Sequence, residues 1–437
     1  MSPNAALAGT LIFLIAVLGA CSDGEEPALD VEPTSAITPD LQSPSHLAPP
    51  DERLRFESGV LRWDGSDISE PTTLAFGPDG RLYVGQLNGQ IVALTLDQQT
   101  VTNADLIADA DTFQSVLGLA FNPVGAIEPI TLYVSHTLLY GGTDGPAFAG
   151  AIAKLTAPEF QPEEIITGLP VSNAEHGTNG MAFDSQGRLF IAQGGTTNAG
   201  VPSERFDRAE TPLSGAILVA DIGDLEFDGS IEHDPANVAS DATDQVAGDV
   251  QVFASGFRNP YDIVVHSNGF IYATDNGPNG QDGPQSVTCA SDDAGPTHPD
   301  ELNLVSEGEY YGHPNRNRGR RDERQCAYQA ADESLPNGTG PIATLGFFVS
   351  ADGMIEYHSK SFDGLLQNNL IYVEWAQGRA WRVVLTRDGL GVVSISQLLP
   401  ERMRRPLDLV EGPDGTLYIA EMDADRISFF RPMPYGE

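Results

Sequence analysis

Apolar residues recur along this chain in short runs of strand character, each pair joined by a tight polar turn. Leu74-Ala75-Phe76-Gly77-Pro78-Asp79-Gly80-Arg81-Leu82-Tyr83-Val84 is the clearest unit. Leu409–Ile419 and Met181–Ile191 repeat it, with Asp-Gly and Ser-Gln-Gly at the turn. Ile263–Tyr272 gives a fourth copy around Ser-Asn-Gly, Leu119–Val134 a looser fifth, and Tyr357–Val373 the weakest, a sixth. Turn residues of this kind between apolar runs are hairpin signals. A third strand follows several copies, at Gly89–Leu96, Gly215–Asp221 and Arg379–Leu385.

A lone hairpin cannot bury both its faces, whereas hairpins set radially pack each sheet on its neighbours. Six repeats therefore predict an all-β fold, a six-bladed β-propeller over residues 53–433. Graded repeats of this kind argue against a β-sandwich. The segment Leu54–Trp63 is placed to pair with Arg426–Phe430 and close the ring. The spacing between repeats is uneven, and the excess falls around residues 137–175, 193–250 and 275–350. These read as long loops on one face, the usual place for function on a rigid scaffold.

The first 52 residues differ in kind. Ala5–Ala20 is small and apolar, too short to span a bilayer, and reads as a signal peptide over residues 1–20. Leu18-Gly19-Ala20-Cys21 resembles a bacterial lipobox, which makes Cys21 the lipid-bearing residue of the mature chain. Residues 21–52 are acidic and Pro-rich and read as a disordered tether. The expected location is therefore outside the cytoplasm, on a lipid anchor to a bacterial membrane, facing the periplasm or the cell exterior. Cys289 and Cys326 are the two other cysteines, and in an exported protein they are expected to form a disulfide. In the chain-entropy description such a link adds about 3–4 kcal/mol.

Composition narrows the partners. The 437 residues carry 62 Asp and Glu against 23 Lys and Arg, a formal net charge of −39. Such a surface repels nucleic acid and anionic lipid headgroups, so no nucleic-acid partner is expected. A hydrophobic share of 41% supports a real core, and the 46 Gly and 31 Pro suit many turns.

Candidate chemistry gathers on three loop segments. Glu175-His176-Gly177-Thr178-Asn179-Gly180 offers a histidine, the side chain best matched to general base work near neutral pH. Arg258-Asn259-Pro260 offers a guanidinium that can stabilise a developing negative charge, beside an amide that both donates and accepts. Asp275-Asn276-Gly277-Pro278, with Asp300-Glu301-Leu302-Asn303 further on, offers oxygen atoms of the kind calcium takes. In an antiparallel hairpin the flanks of Asp262–Val265 and Phe270–Thr274 lie at one end, so the second and third segments are expected to converge.

Taken in order, these pieces resemble the glucose/sorbosone dehydrogenase family of exported six-bladed propellers that use pyrroloquinoline quinone (PQQ). The likeness runs over about residues 55–432. It includes Gly256-Phe257-Arg258-Asn259-Pro260, Asn276-Gly277-Pro278, Asp300-Glu301-Leu302-Asn303, Tyr311-Gly312 with Pro314, and Arg405-Pro406-Leu407-Asp408. The resemblance implies a PQQ- and calcium-dependent oxidation of the anomeric hydroxyl of an aldose sugar. His176 would be the base and Arg258 the partner of the growing charge. Asn259, Arg405 and Gln377 would contact PQQ, and the carbonyls of Gly277 and Pro278 would hold calcium. Electrons would leave to a quinone or a separate cytochrome. The chain departs from the family at two places. Trp375-Ala376-Gln377-Gly378 stands where glucose-oxidising members carry a lysine, and Leu407 stands where a second arginine would pair with Arg405. A non-catalytic propeller that binds glycan or protein through the same funnel is the alternative those departures leave open. A calcium-dependent hydrolase would need several inward-facing carboxylates on the metal.

Overall fold

A computed structural model describes residues 43–62, 68–124, 128–142, 144–199, 205–206, 208, 210–211, 213–232, 247–278, 298–313 and 338–433. The chain divides into two units, Met1–Pro39 and Asp40–Glu437, and the described residues all belong to the second. The signal segment, most of the tether, Cys21, Cys289 and Cys326 lie outside the described residues.

Six four-stranded antiparallel sheets form six blades. Their innermost strands are Pro71–Phe76, Ser115–Phe121, Thr178–Phe183, Pro260–Val265, Ala351–Glu356 and Pro406–Glu411, numbered here as blades one to six. The turn that the four clearest repeats announced is present: the Gly80, Gly187, Gly269 and Gly415 amides each donate to a carbonyl three residues back. All four glycines sit at positive φ, between +77° and +89°, where a β-carbon would be strained. Ring closure is as expected: Phe56–Val60 pairs antiparallel with Arg426–Pro432, Val60 opposite Ser428, as the outer strand of blade six.

The core is distributed accordingly. Six buried apolar clusters are found among the described residues, one at each blade–blade junction. Between blades one and two, for example, Tyr83 and Ile91 pack on Leu132 and Val134. Between blades six and one, Tyr418 and Ile427 pack on Leu82 and Val84. Full burial of each such side chain contributes roughly 1.5–3 kcal/mol, so the disc is held by its radial seams rather than by one central core.

Two expectations need correction. The fifth-blade hairpin does not begin at Tyr357. Its inner strand ends at Glu356 and the second strand is Leu370–Glu374, with a short 3-10 turn at Ser361–Gly364 between them. Tyr357 is fully buried at the start of that connection, which gives it the look of a strand residue. Residues 137–175 are not loop throughout. They hold the third and fourth strands of blade two, Gly150–Thr156 and Gln161–Leu169. The outer strand carries an exposed Gln-Pro-Glu-Glu start, the polar edge that keeps sheets from pairing with other chains, and so it lacks the apolar signature of a strand.

Every inner strand shifts register near its start: between Pro71 and Thr73, Val116 and Gly118, Thr178 and Met181, Pro260 and Ile263, Ala351 and Met354, and Pro406 and Asp408. A bulge at a fixed place in each blade bends the chain at the axis and re-aims side chains there. Below it lies the central channel, about 440 Å³, lined among others by Thr73, Gly118, Gly180, Asp262 and Asp408. Above it lie the loops that lead into the inner strands.

Candidate active site

Chain polarity puts the candidate residues on one rim. His176, Arg258 and Arg405 lie in the connections that precede the inner strands of blades three, four and six. Gly277 and Gln377 follow the second strands of blades four and five. In an antiparallel sheet the start of strand one and the end of strand two lie at the same end. The registers say so directly, with Thr178 opposite Gln193, Pro260 opposite Asp275, Ala351 opposite Glu374 and Pro406 opposite Glu421.

His176 is almost wholly buried, at 1% exposure. Its backbone is fixed by Ser172, whose Oγ accepts from the His176 amide at 3.0 Å and whose own amide donates to the His176 carbonyl at 2.9 Å. The ring nitrogen Nδ1 is 3.0 Å from the carbonyl oxygen of Gly195. A carbonyl only accepts, so Nδ1 carries the hydrogen and Nε2 keeps its lone pair in the neutral ring. Burial pushes the imidazole well below its ordinary range, helped by the Arg258 charge and opposed by the Gly195 carbonyl and Glu210. The ring is therefore neutral at neutral pH. Glycine is needed around it. A β-carbon on Gly194 would come within 3.0 Å of the His176 Cβ and 2.6 Å of the Asn259 Oδ1, and one on Gly177 within 2.2 Å of the Thr137 Oγ1.

Arg258 is equally enclosed, at 4% exposure. Nε donates to the Asn198 carbonyl at 3.1 Å, Nη2 to the Asn198 Oδ1 at 2.9 Å, and Nη1 to the Asn276 carbonyl at 3.1 Å. The Phe206 ring connects it to the histidine, with its centroid 4.7 Å from the imidazole and 5.8 Å from the guanidinium carbon. The Asp275 carboxylate accepts the backbone amides of both Arg258 and Asn259, the latter at 2.8 Å. Burial pushes that carboxyl up to about 7, against the pull of those two amides. Asn259 Oδ1 accepts from Asn179 Nδ2 at 2.9 Å, which ties blade four to blade three.

His176, Arg258, Asn259 and the turn at Gly277 are thus brought together. Gly277 follows Asn276, and its amide donates to Asp300 Oδ1 at 3.0 Å. The Pro278 carbonyl already accepts one hydrogen bond, from the His298 amide at 3.1 Å. Among the described residues, no group of three or more His, Cys, Asp or Glu is placed to hold a metal ion. Uncharged oxygens are available instead: Asn276 Oδ1 and Asn179 Oδ1 are buried and have no hydrogen-bond partner.

Arg405 and Gln377 stand further round the rim. Arg405 has φ +53°, and its guanidinium carbon lies 3.9 Å from the centre of the Trp375 ring. Its Nε is 3.7 Å from Asp423 Oδ2. Gln377 is half-buried in the turn after Trp375. A chain of bonds joins this pair to Arg258. Asn276 Nδ2 donates to Asp352 Oδ1 at 3.0 Å, Ser350 Oγ to Asp352 Oδ2 at 3.1 Å, and the Trp375 amide to the Ser350 carbonyl at 2.9 Å. Sequence reasoning missed Gly194-Gly195, Asn198, Phe206 and Glu210. The one available signal was a Gly-Gly-Thr-Thr-Asn run directly after a strand.

The sequence model for Glucose / Sorbosone dehydrogenase matches residues 68–428. The chain belongs to the glucose/sorbosone dehydrogenase family. Quinoprotein glucose dehydrogenase B of Acinetobacter calcoaceticus is 23% identical over 307 residues, 65% of this chain and 58% of that one. An aldose sugar dehydrogenase of Escherichia coli K12 is 22% identical over 257 residues, 57% of this chain and 58% of its own. The chain therefore spans somewhat over half the length of these curated relatives. Among solved structures, the PQQ-bound form of aldose sugar dehydrogenase from Streptomyces coelicolor superimposes with a TM-score of 0.58 at 18% identity, covering 88% of this chain and 99% of that one. At that identity the likeness establishes the six-bladed fold of this family member and nothing finer.

Proposed function

We propose that this propeller is an exported, PQQ- and calcium-dependent dehydrogenase that oxidises the anomeric hydroxyl of an aldose sugar. The observation that carries the reading is a buried, neutral His176 with its Nε2 lone pair uncommitted, held beside the Arg258 guanidinium on the rim of a family propeller. Relatives named as glucose and aldose sugar dehydrogenases support the substrate class.

The residues present fit the implied groups by their donor chemistry. Calcium takes neutral carbonyl and amide oxygens as well as carboxylates. The Gly277 carbonyl, the remaining lone pair of Pro278 and the unpartnered Asn276 Oδ1 would hold it. Arg258, Asn259 and Arg405 would hold PQQ, with Gln377 beside them. When bound, PQQ supplies the two-electron sink to which the C1 hydride of the sugar passes. His176 takes the hydroxyl proton at Nε2, and the loss of proton and hydride leaves the sugar as its lactone. Proton removal by a positioned base contributes roughly 10²–10⁴ in rate. Arg258 cannot reorient, because both its edges are tied to Asn198 and Asn276, so its charge is already in place when negative charge develops beside it. A quinone or a separate cytochrome would serve as the final electron acceptor. The lipobox-like Cys21 supports a lipid anchor and a site of action in the periplasm or at the cell exterior.

Purified apoprotein reconstituted with PQQ and calcium should oxidise aldoses with a redox dye as acceptor, while apoprotein alone should not. No oxidation across a broad aldose panel, with no PQQ absorbance retained after dialysis, would overturn the reading. A glycan- or protein-binding propeller without redox chemistry is the second reading. The lysine-free stretch Trp375-Ala376-Gln377-Gly378, with Arg405 stacked on its Trp375 ring, favours that one.

A further inference from the structure

The turn Gly194–Asn198 serves both proposed reacting groups at once. Its Gly195 carbonyl accepts from His176 Nδ1, and its Asn198 carbonyl and side chain accept from Arg258. Turns rich in glycine and small polar residues do not hold such a shape by themselves. A buried carboxylate lies at the centre of this one and accepts two of its successive amides. Glu210 Oε2 accepts the Thr196 amide at 3.0 Å, and Oε1 accepts the Thr197 amide at 2.9 Å and the Thr197 hydroxyl at 2.6 Å. Ser214 Oγ also donates to Oε2, and His313 Nε2 lies 2.8 Å from Oε1. Gly195 is pinned from the other side, its amide donating to the Arg258 carbonyl at 2.7 Å. A β-carbon on Gly195 would lie 3.1 Å from Glu210 Oε1 and 3.3 Å from His313 Nε2, so the carboxylate packs directly under the peptide that touches His176. His313 in turn donates its amide to the Gly256 carbonyl at 2.7 Å, two residues before Arg258. Glu210 is 6% exposed and His313 3%.

We propose that Glu210, paired with His313, is a positioning residue for the reaction: its carboxylate holds the Gly194–Asn198 turn so that the Gly195 carbonyl fixes the His176 ring with Nε2 free and Asn198 fixes Arg258. The proposal rests on His176 and Arg258 being the reacting groups. Glu210 touches neither substrate nor cofactor in this scheme. Charge-assisted hydrogen bonds from two successive amides are the strong kind, and a neutral or shortened side chain cannot make both sets. Removing the carboxylate frees the turn, and the His176 ring loses the acceptor that selects its tautomer.

The test reads the apoprotein as well as the loaded enzyme. Apoprotein labelled with ¹⁵N in its imidazoles is compared by long-range ¹H–¹⁵N spectra at pH 7, with the His176 signal assigned by its loss in His176→Gln. The wild-type ring should show one neutral tautomer with the proton on Nδ1. In Glu210→Ala it should show a mixture of tautomers, and in the PQQ- and calcium-loaded enzyme kcat should fall at least 30-fold with the sugar KM changed less than threefold. Glu210→Gln, which keeps one accepting oxygen, should recover part of both. A folded Glu210→Ala protein with an unchanged His176 tautomer and unchanged kcat overturns the proposal. Should Glu210→Ala fail to fold, Thr197→Val removes one donor to the carboxylate. A shift of its His176 spectrum towards mixed tautomers supports the proposal, and a spectrum identical to wild type overturns it. Absence of sugar oxidation in the loaded wild type would sink the dehydrogenase reading alone, because the tautomer comparison needs no cofactor.

Discussion

Glu374 closes the second strand of blade five, next to Trp375, and is fully buried. Neither of its carboxyl oxygens has a hydrogen-bond partner, and the neighbouring Tyr372 hydroxyl and Trp381 indole nitrogen are unpartnered as well. Burial pushes its carboxyl up from 4.5 to about 8, with the Trp381 indole and Arg379 pulling weakly the other way. The folded protein therefore keeps this proton up to about pH 8, while the unfolded chain releases it near 4.5. Folding takes up a proton between those values, so the stability this group supports is complete below pH 4.5 and is lost as pH rises to about 8. A shift of that size corresponds to roughly 4–5 kcal/mol at 1.36 kcal/mol per pH unit. Glu374→Gln keeps the shape and removes the titration. Its stability relative to wild type should rise across that window, by several kcal/mol between pH 5 and pH 8.5. Urea unfolding at half-unit pH steps, in EDTA so that no metal contributes, measures the difference. Asp408, which burial also raises, to about 6, is present in both proteins and cancels, while the Asp300 charge adds to the Glu374 shift and acts within the measured difference. Parallel curves, with a wild-type-to-variant difference that stays constant within about 0.5 kcal/mol at every pH, would refute the reasoning.

Three further outcomes are expected. His176→Gln should lower turnover of the reconstituted enzyme by roughly 10²–10⁴ while PQQ absorbance after dialysis is unchanged, and the acid limb of the wild-type kcat/KM profile should lie below pH 6.5, since the base acts above its depressed pKa. Asn198→Ala removes the side-chain acceptor of Arg258 Nη2; it should cost about 1.5–3 kcal/mol in urea unfolding and lower kcat more than it raises KM. Gln377→Lys introduces a cation in the stretch 375–378, where the family resemblance places a lysine, and leaves the Trp375 ring under Arg405 in place; equilibrium dialysis should show PQQ bound at least tenfold more tightly, and equal affinity would mean that this position does not face the cofactor.

The sequence by itself determined the architecture. Six copies of one strand–turn–strand unit, with glycine at the turn, have no way to bury their faces except against one another. The closing strand followed from the same arithmetic, and Phe56–Val60 pairs where that reasoning placed it. His176, Arg258 and Gly277 were also legible, because each leads into or out of a hairpin and chain polarity alone puts them on one rim. The fourth strands of blades one and two were not legible. Thr100–Ala108 and Gln161–Leu169 are solvent-facing edges whose polar residues hide their period. Nor could the sequence show what aims the site. Glu210 lies 34 positions after His176 and 48 before Arg258, yet it sets both through one turn. Hydrogen bonds between a buried carboxylate and backbone amides carry no residue-type signature at the amide end, so only the folded chain could assign them.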